Sequence, residues 1–103
     1  MRRLCAVAAM ASLVTACSLG DPPEDATGEE IYAELCARCH GADLEGGIGP
    51  ALGPGSSSAE EPDEFLQFTI MNGRGRMPSF SSSLDASQLD RLVGYIREVQ
   101  DDA

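Results

Sequence analysis

Leu89, Leu92, Val93 and Ile96 recur at intervals of three and four near the C-terminal end, the spacing that puts apolar side chains on one face of a helix. That pattern predicts a helix starting near Asp85, with Gln88 three residues on completing a cap. A second cluster, Phe65, Leu66, Phe68, Ile70 and Met71, predicts another helix. Pro62 suits its first turn, Asp63 and Glu64 suit its positive end, and Asn72-Gly73 stops it. A further helix is predicted from Thr27, which pairs with Glu30 as a capping box and sets Ile31 and Leu35 on one face. Residues 41–55 hold six glycines and two prolines, and 72–83 read NGRGRMPSFSSS; both stretches are loops. No alternating strand pattern and no internal repeat occurs, so the chain reads as all-α, with three to four helices and glycine-rich loops.

The apolar run at the other end belongs to a different pattern. Arg2 and Arg3 precede a small, apolar stretch from Leu4 to Val14, then Thr15, Ala16 and Cys17. A basic start, an apolar middle and small residues before a cut describe a secretory signal, and the run is too short for the roughly 20 residues of a spanning helix. The V-T-A-C ending resembles a bacterial lipoprotein signal. That resemblance implies a diacylglyceryl thioether on Cys17, which becomes the first mature residue; ordinary cleavage nearby, with Cys17 lost or left as a free thiol, is the alternative. Residues 1–16 are thus read as signal peptide, 17–27 as an acidic, proline-containing tether, and 28–103 as the folded domain. The localisation expected is export, with a lipid anchor in the cell membrane or outer membrane and the domain facing the periplasm or exterior.

Charge narrows the partners. Among 103 residues there are 17 acids against seven arginines and no lysine, a formal charge of −10. Removing the 16 residues before Cys17 takes two arginines and no acid, which makes it −12. Phosphate binding needs a basic face, so nucleic acid is excluded as a partner. A mature domain this small buries only about 60% of its unfolded surface and gains from a metal, disulfide or cofactor at its core.

The chemistry sits in CARCH at 36–40. A structural zinc site usually takes four Cys or His ligands, and the mature domain offers Cys36, Cys39 and His40, the only histidine. A thioredoxin-like dithiol follows a strand, and no strand is predicted here. C-x-x-C-H is also the attachment pattern of c-type haem. On a helical turn, positions i, i+3 and i+4 share one side, so two sulfurs and an imidazole can meet one flat macrocycle. Export away from the reducing cytosol suits the haem reading too. A sixth iron ligand is then required, and a soft thioether raises the potential. Met1 and Met10 leave with the signal, and Met71 lies in the apolar pattern of a helix, where core filling is its ordinary role. Met77 lies in a glycine-rich loop beside Pro78 and is the candidate ligand.

From Gly28 to about Val99 the chain resembles a small class I cytochrome c with a single haem. CARCHG at 36–41 is similar to the haem-binding motif, GRGRMPSF at 73–80 to the axial-methionine loop, and GIGPAL at 47–52 to the loop whose proline carbonyl receives the proximal histidine. Gly28, Tyr32 and Tyr95 resemble the residues at which the terminal helices cross. The resemblance implies one covalent haem c held by Cys36 and Cys39, iron ligated by His40 and Met77, Pro50 orienting His40, and Arg74 or Arg76 beside a propionate unless both are simply solvated. It departs from the family in a short 41–62 segment and in the missing lysine ring.

The function implied is membrane-tethered electron transfer between respiratory or dehydrogenase partners, with no small-molecule substrate and no enzymatic turnover of its own. The alternative is a haem ligand-binder or small peroxidase with a labile sixth ligand. A third expectation is a subunit of a larger oxidoreductase, differing from the first in partner only. The acidity reads as a solvated surface, as steering toward a basic partner, or as adaptation to a salty host.

Overall fold

The computed structural model describes residues 21–102; the signal segment and Cys17 lie outside the described residues. The elements run α1 (Gly28–Leu35), α2 (Ala37–His40), a 3-10 turn (Ser57–Glu60), α3 (Asp63–Asn72) and α4 (Ala86–Asp101). Among the described residues the only β feature is an isolated bridge between Arg74 and Met77. No described helix is long and apolar enough to cross a membrane.

Each predicted start is made by its cap. Thr27 accepts from Glu30 N at 3.1 Å, and the Glu30 carboxylate accepts from Thr27 N at 3.1 Å. That backbone donor, then the Thr27 hydroxyl, holds the Glu30 carboxyl below its ordinary value. Asp85 and Gln88 repeat the device for α4, both bonds at 2.8 Å. Pro62 is the cap of α3 rather than its first helical residue, one position from the expectation.

α1 crosses α4 to make the core. Ile31, Tyr32 and Leu92 are fully buried, and Val93 and Ile96 extend the same apolar face of α4. Gly28 permits the crossing: a Cβ there would lie 2.0 Å from the Arg91 carbonyl oxygen. The Tyr32 and Tyr95 rings meet with centroids 5.6 Å apart at 53°, a tilted aromatic pair. The Tyr32 hydroxyl donates to Gly41 O at 2.6 Å and ties this crossing to the end of CARCH.

Two features were not expected. Leu44 adopts φ 60°, a left-handed backbone that costs a branched residue on the order of 1 kcal/mol. Its side chain is buried and its carbonyl accepts from Leu52 N and Gly53 N, so it pins the glycine-rich loop from inside. The second concerns residues 21–27, within the 17–27 stretch read as tether, which lie against α4. Pro22 and Ala26 are buried, Gln88 Nε2 donates to the Pro22 and Pro23 carbonyls at 3.2 Å each, and Arg91 donates to Glu24 O at 2.5 Å. The stretch has no apolar period, because backbone carbonyls share the docking with only two buried side chains, Pro22 and Ala26.

Gln88 therefore serves two structures at once, capping α4 and holding this strap. Gln88→Ala is expected to lower the melting temperature by roughly 5–15 °C, from about 1–2 kcal/mol of lost bonding at about 4–8 °C per kcal/mol. Thermal unfolding followed by circular dichroism measures it, and an unchanged melt would show the strap contributes nothing.

Candidate functional site

Cys36 closes α1 and opens α2, so the chain bends at the first residue of the motif. The short α2 then carries Cys39 and His40 round to the same side, with His40 N donating to Cys36 O at 3.0 Å. These three residues line a cavity of about 1080 Å³, just above the roughly 300–1,000 Å³ typical of ligand clefts. Its walls include Leu35, Leu52, Phe65, Leu66, Ile70 and Ile96.

Pro50, Arg74 and Met77 line the same cavity, so all six candidate residues are brought together. His40 Nδ1 lies 2.8 Å from the Pro50 carbonyl oxygen. A carbonyl only accepts, so Nδ1 carries the proton and donates, leaving Nε2 with a free lone pair for a metal. Gly49 lets this loop close on the ring: a Cβ there would lie 2.9 Å from His40 Cε1. Met77 is half-buried in a loop braced by its backbone, with Arg74 N donating to Met77 O at 3.1 Å and Met77 N to Arg74 O at 2.9 Å. Met71 and Met77 both pack against the core, but only Met77 lines the cavity. Arg74 is exposed, its guanidinium 5.9 Å from the Phe65 ring centre, and Arg76 also borders the cavity.

The donor set fits a covalent haem and not the rival chemistries. Burial, with Cys39 beside it, pushes the Cys36 thiol up to about 12. A redox dithiol needs the opposite shift, toward thiolate. Among the described residues no three Cys, His, Asp or Glu side chains gather as a metal cluster, so a zinc site has nothing to complete it. What remains is two thiols and one oriented imidazole on an apolar cleft, with a thioether lining the same space.

Ile48, Ser56 and Ser58 also border the cavity and were not singled out from sequence. Ile48 is 79% exposed at the mouth. Its signal was visible as the one large apolar residue between glycines at 46–49. The serines had a signal elsewhere: Gln100 continues the apolar stripe of α4, four residues after Ile96, and a polar residue on a buried face needs a partner.

Comparison with known proteins agrees with this geometry. Residues 23–96 match the family described as cytochrome c oxidase, cbb3-type, subunit III. Cytochrome c-551 of Bacillus subtilis is 37% identical over 82 residues, covering 68% of this chain and 71% of that protein. Dihydro-heme d1 dehydrogenase of Pseudomonas aeruginosa is 39% identical over 74 residues, 70% of this chain but only 15% of the dehydrogenase. Among solved structures, the c-type cytochrome NirC superposes with a TM-score of 0.60 at 34% identity, covering 69% of this chain and 85% of that one.

Proposed function

The chain belongs to the c-type cytochromes, electron-transfer proteins that bind one covalent haem c, and on that footing we propose that this one is a single-haem electron carrier whose iron would take both of its protein ligands from the chain's own side chains. Cys36 and Cys39 would hold the haem as thioethers, and His40 and Met77 would be the iron's two protein ligands. When bound, the haem supplies the one-electron chemistry, its iron alternating between ferrous and ferric. The observation that carries this reading is the convergence of Cys36, Cys39, His40 and Met77 on one apolar cavity, with His40 turned by Pro50.

The chain's own residues do three things. Pro50 fixes the tautomer and angle of His40 and makes its free nitrogen a better ligand. The backbone bridge at Arg74 and Met77 braces the loop that carries the thioether, which also packs against the core. The apolar wall excludes water, which together with a thioether ligand raises the potential. Partners are other redox proteins, met at the mouth where Ile48 is exposed; the acidic surface favours a basic partner, with an association rate that falls as salt rises. Export and acylation of Cys17 make the carrier membrane-tethered, either free or within a larger oxidoreductase.

Purified mature protein is expected to give a pyridine haemochrome of thioether type, one haem per chain, and a ferric methionine–iron charge-transfer band. Mass spectrometry of its N-terminus is expected to show acyl groups on Cys17. High-spin ferric iron that binds cyanide at once would instead favour the ligand-binder, and an unacylated N-terminus would remove the tether alone.

A further inference from the structure

The stretch 52–61 supplies one wall of the cavity, yet Leu52 is its only large apolar residue in LGPGSSSAEE. Side chains of α4 hold it by polar bonds instead. Arg97 donates to Ser58 O at 3.1 Å, to Glu61 O, and to Asp63 Oδ1 at 2.8 Å. Asp63 is mostly exposed, so that ion pair contributes little. Arg97 Nη1 also donates to Gln100 Oε1 at 2.7 Å.

That last bond orders everything downstream. A guanidinium only donates, so it fixes the oxygen of the Gln100 amide and turns the Nε2 group the other way. Nε2 donates to Leu52 O at 2.9 Å and to Ser58 Oγ at 3.2 Å. Ser58 Oγ thereby accepts, and its own proton points onward. Ser56 Oγ lies 3.2 Å from it, and both serines border the cavity. The result is an oriented chain of donors that starts at a positive charge on α4 and ends in hydroxyls at the cavity wall. Such aligned bonds polarise one another, and the receiving end suits an anion.

We propose that Arg97, Gln100 and Ser58 form a relay whose terminal hydroxyls donate to a propionate carboxylate of the haem, and that Arg97 and Gln100 are positioning residues for the reduction potential. The inference rests on the haem occupying this cavity, as proposed above. Donation to the carboxylate offsets its negative charge, which otherwise favours ferric iron; losing the donor lowers the potential. The other charged groups bordering the cavity are Glu34, Arg38, Glu61, Arg74 and Arg76, and the two loop arginines are the rival partners for the carboxylate.

The test uses the haem-loaded protein with Ser58→Ala, Gln100→Leu and Arg97→Met, and with Arg97→Lys as the charge-conserving control. Two readouts are taken, the propionate bending band in resonance Raman and the midpoint potential. Ser58→Ala and Gln100→Leu are expected to shift the band and lower the potential by a threefold to tenfold change in the reduction equilibrium, where tenfold is about 59 mV for one electron. Arg97→Met is expected to follow them and Arg97→Lys to recover part of the effect. Val93→Ala, a core change on the same helix, is expected to lower the melting temperature without moving the band. Haem present and the band unmoved in Ser58→Ala, with a shift in Arg74→Gln instead, would overturn the relay and assign the carboxylate to the arginine loop. Absence of thioether haem from the wild-type protein would sink the electron-carrier reading itself, a different result read by a different assay.

Discussion

Met77→Ala is expected to abolish the methionine–iron charge-transfer band, lower the reduction potential and let cyanide bind at once. The drop should be a sizeable fraction of the about 0.8 V range that axial ligands span. The loop is held by backbone and hydroxyl bonds as well as by the Met77 side chain, which packs against the core. Arg74 and Met77 bond through their backbones, the Ser79 hydroxyl donates to Met71 O at 2.6 Å, and Phe80 N donates to Ile70 O at 3.0 Å. Gly73 adds a further brace: at φ 75° it brings its α-carbon close enough that a Cβ would lie 2.6 Å from Met77 O. Alanine at 77 therefore removes a thioether and its packing on the core, while these backbone and hydroxyl bonds remain. Redox titration and the near-infrared end of the ferric spectrum measure the change. A variant that keeps its band and its potential would return the sixth position to some other group.

Gly28→Val is expected to produce the largest loss of stability. The added Cβ would meet the Arg91 carbonyl oxygen at 2.0 Å and Tyr95 Cβ at 2.8 Å. The first of these is helical backbone, which cannot swing aside. α1 must lift off α4, and the Tyr32–Tyr95 contact opens with it. Overpacking of this kind costs typically about 1–3 kcal/mol, and at roughly 4–8 °C per kcal/mol the melting temperature should fall by up to ~24 °C. Gly28→Ala should show the same sign, since it carries the same Cβ. A valine variant that melts with the parent would mean the helices cross less closely than the geometry says.

The helices were legible because their causes are local. Thr27 and Glu30, Asp85 and Gln88 lie three residues apart, and a cap closes between neighbours in sequence. The stripe from Leu89 to Ile96 reports burial through spacing alone. CARCH was legible as chemistry because its spacing is a helical turn. The rest depends on partners far along the chain. Gln88 meets Pro22 across 66 positions and Gln100 meets Leu52 across 48, and nothing local to either proline or leucine announces it. Leu44 in a left-handed backbone was invisible for a related reason. A buried leucine tolerates that conformation only because Leu52 and Gly53 bond back to its carbonyl, and their approach is a property of the closed loop.

The docking of Pro22 onto Gln88 changes how an acylated Cys17 would behave. Only five peptide steps separate those two residues, about 17 Å at full stretch. With the acyl groups proposed for Cys17, the domain would be held within about its own height of the lipid headgroups. Its encounters would then be a lateral, two-dimensional search, and a fixed partner would have to present its electron port at that level.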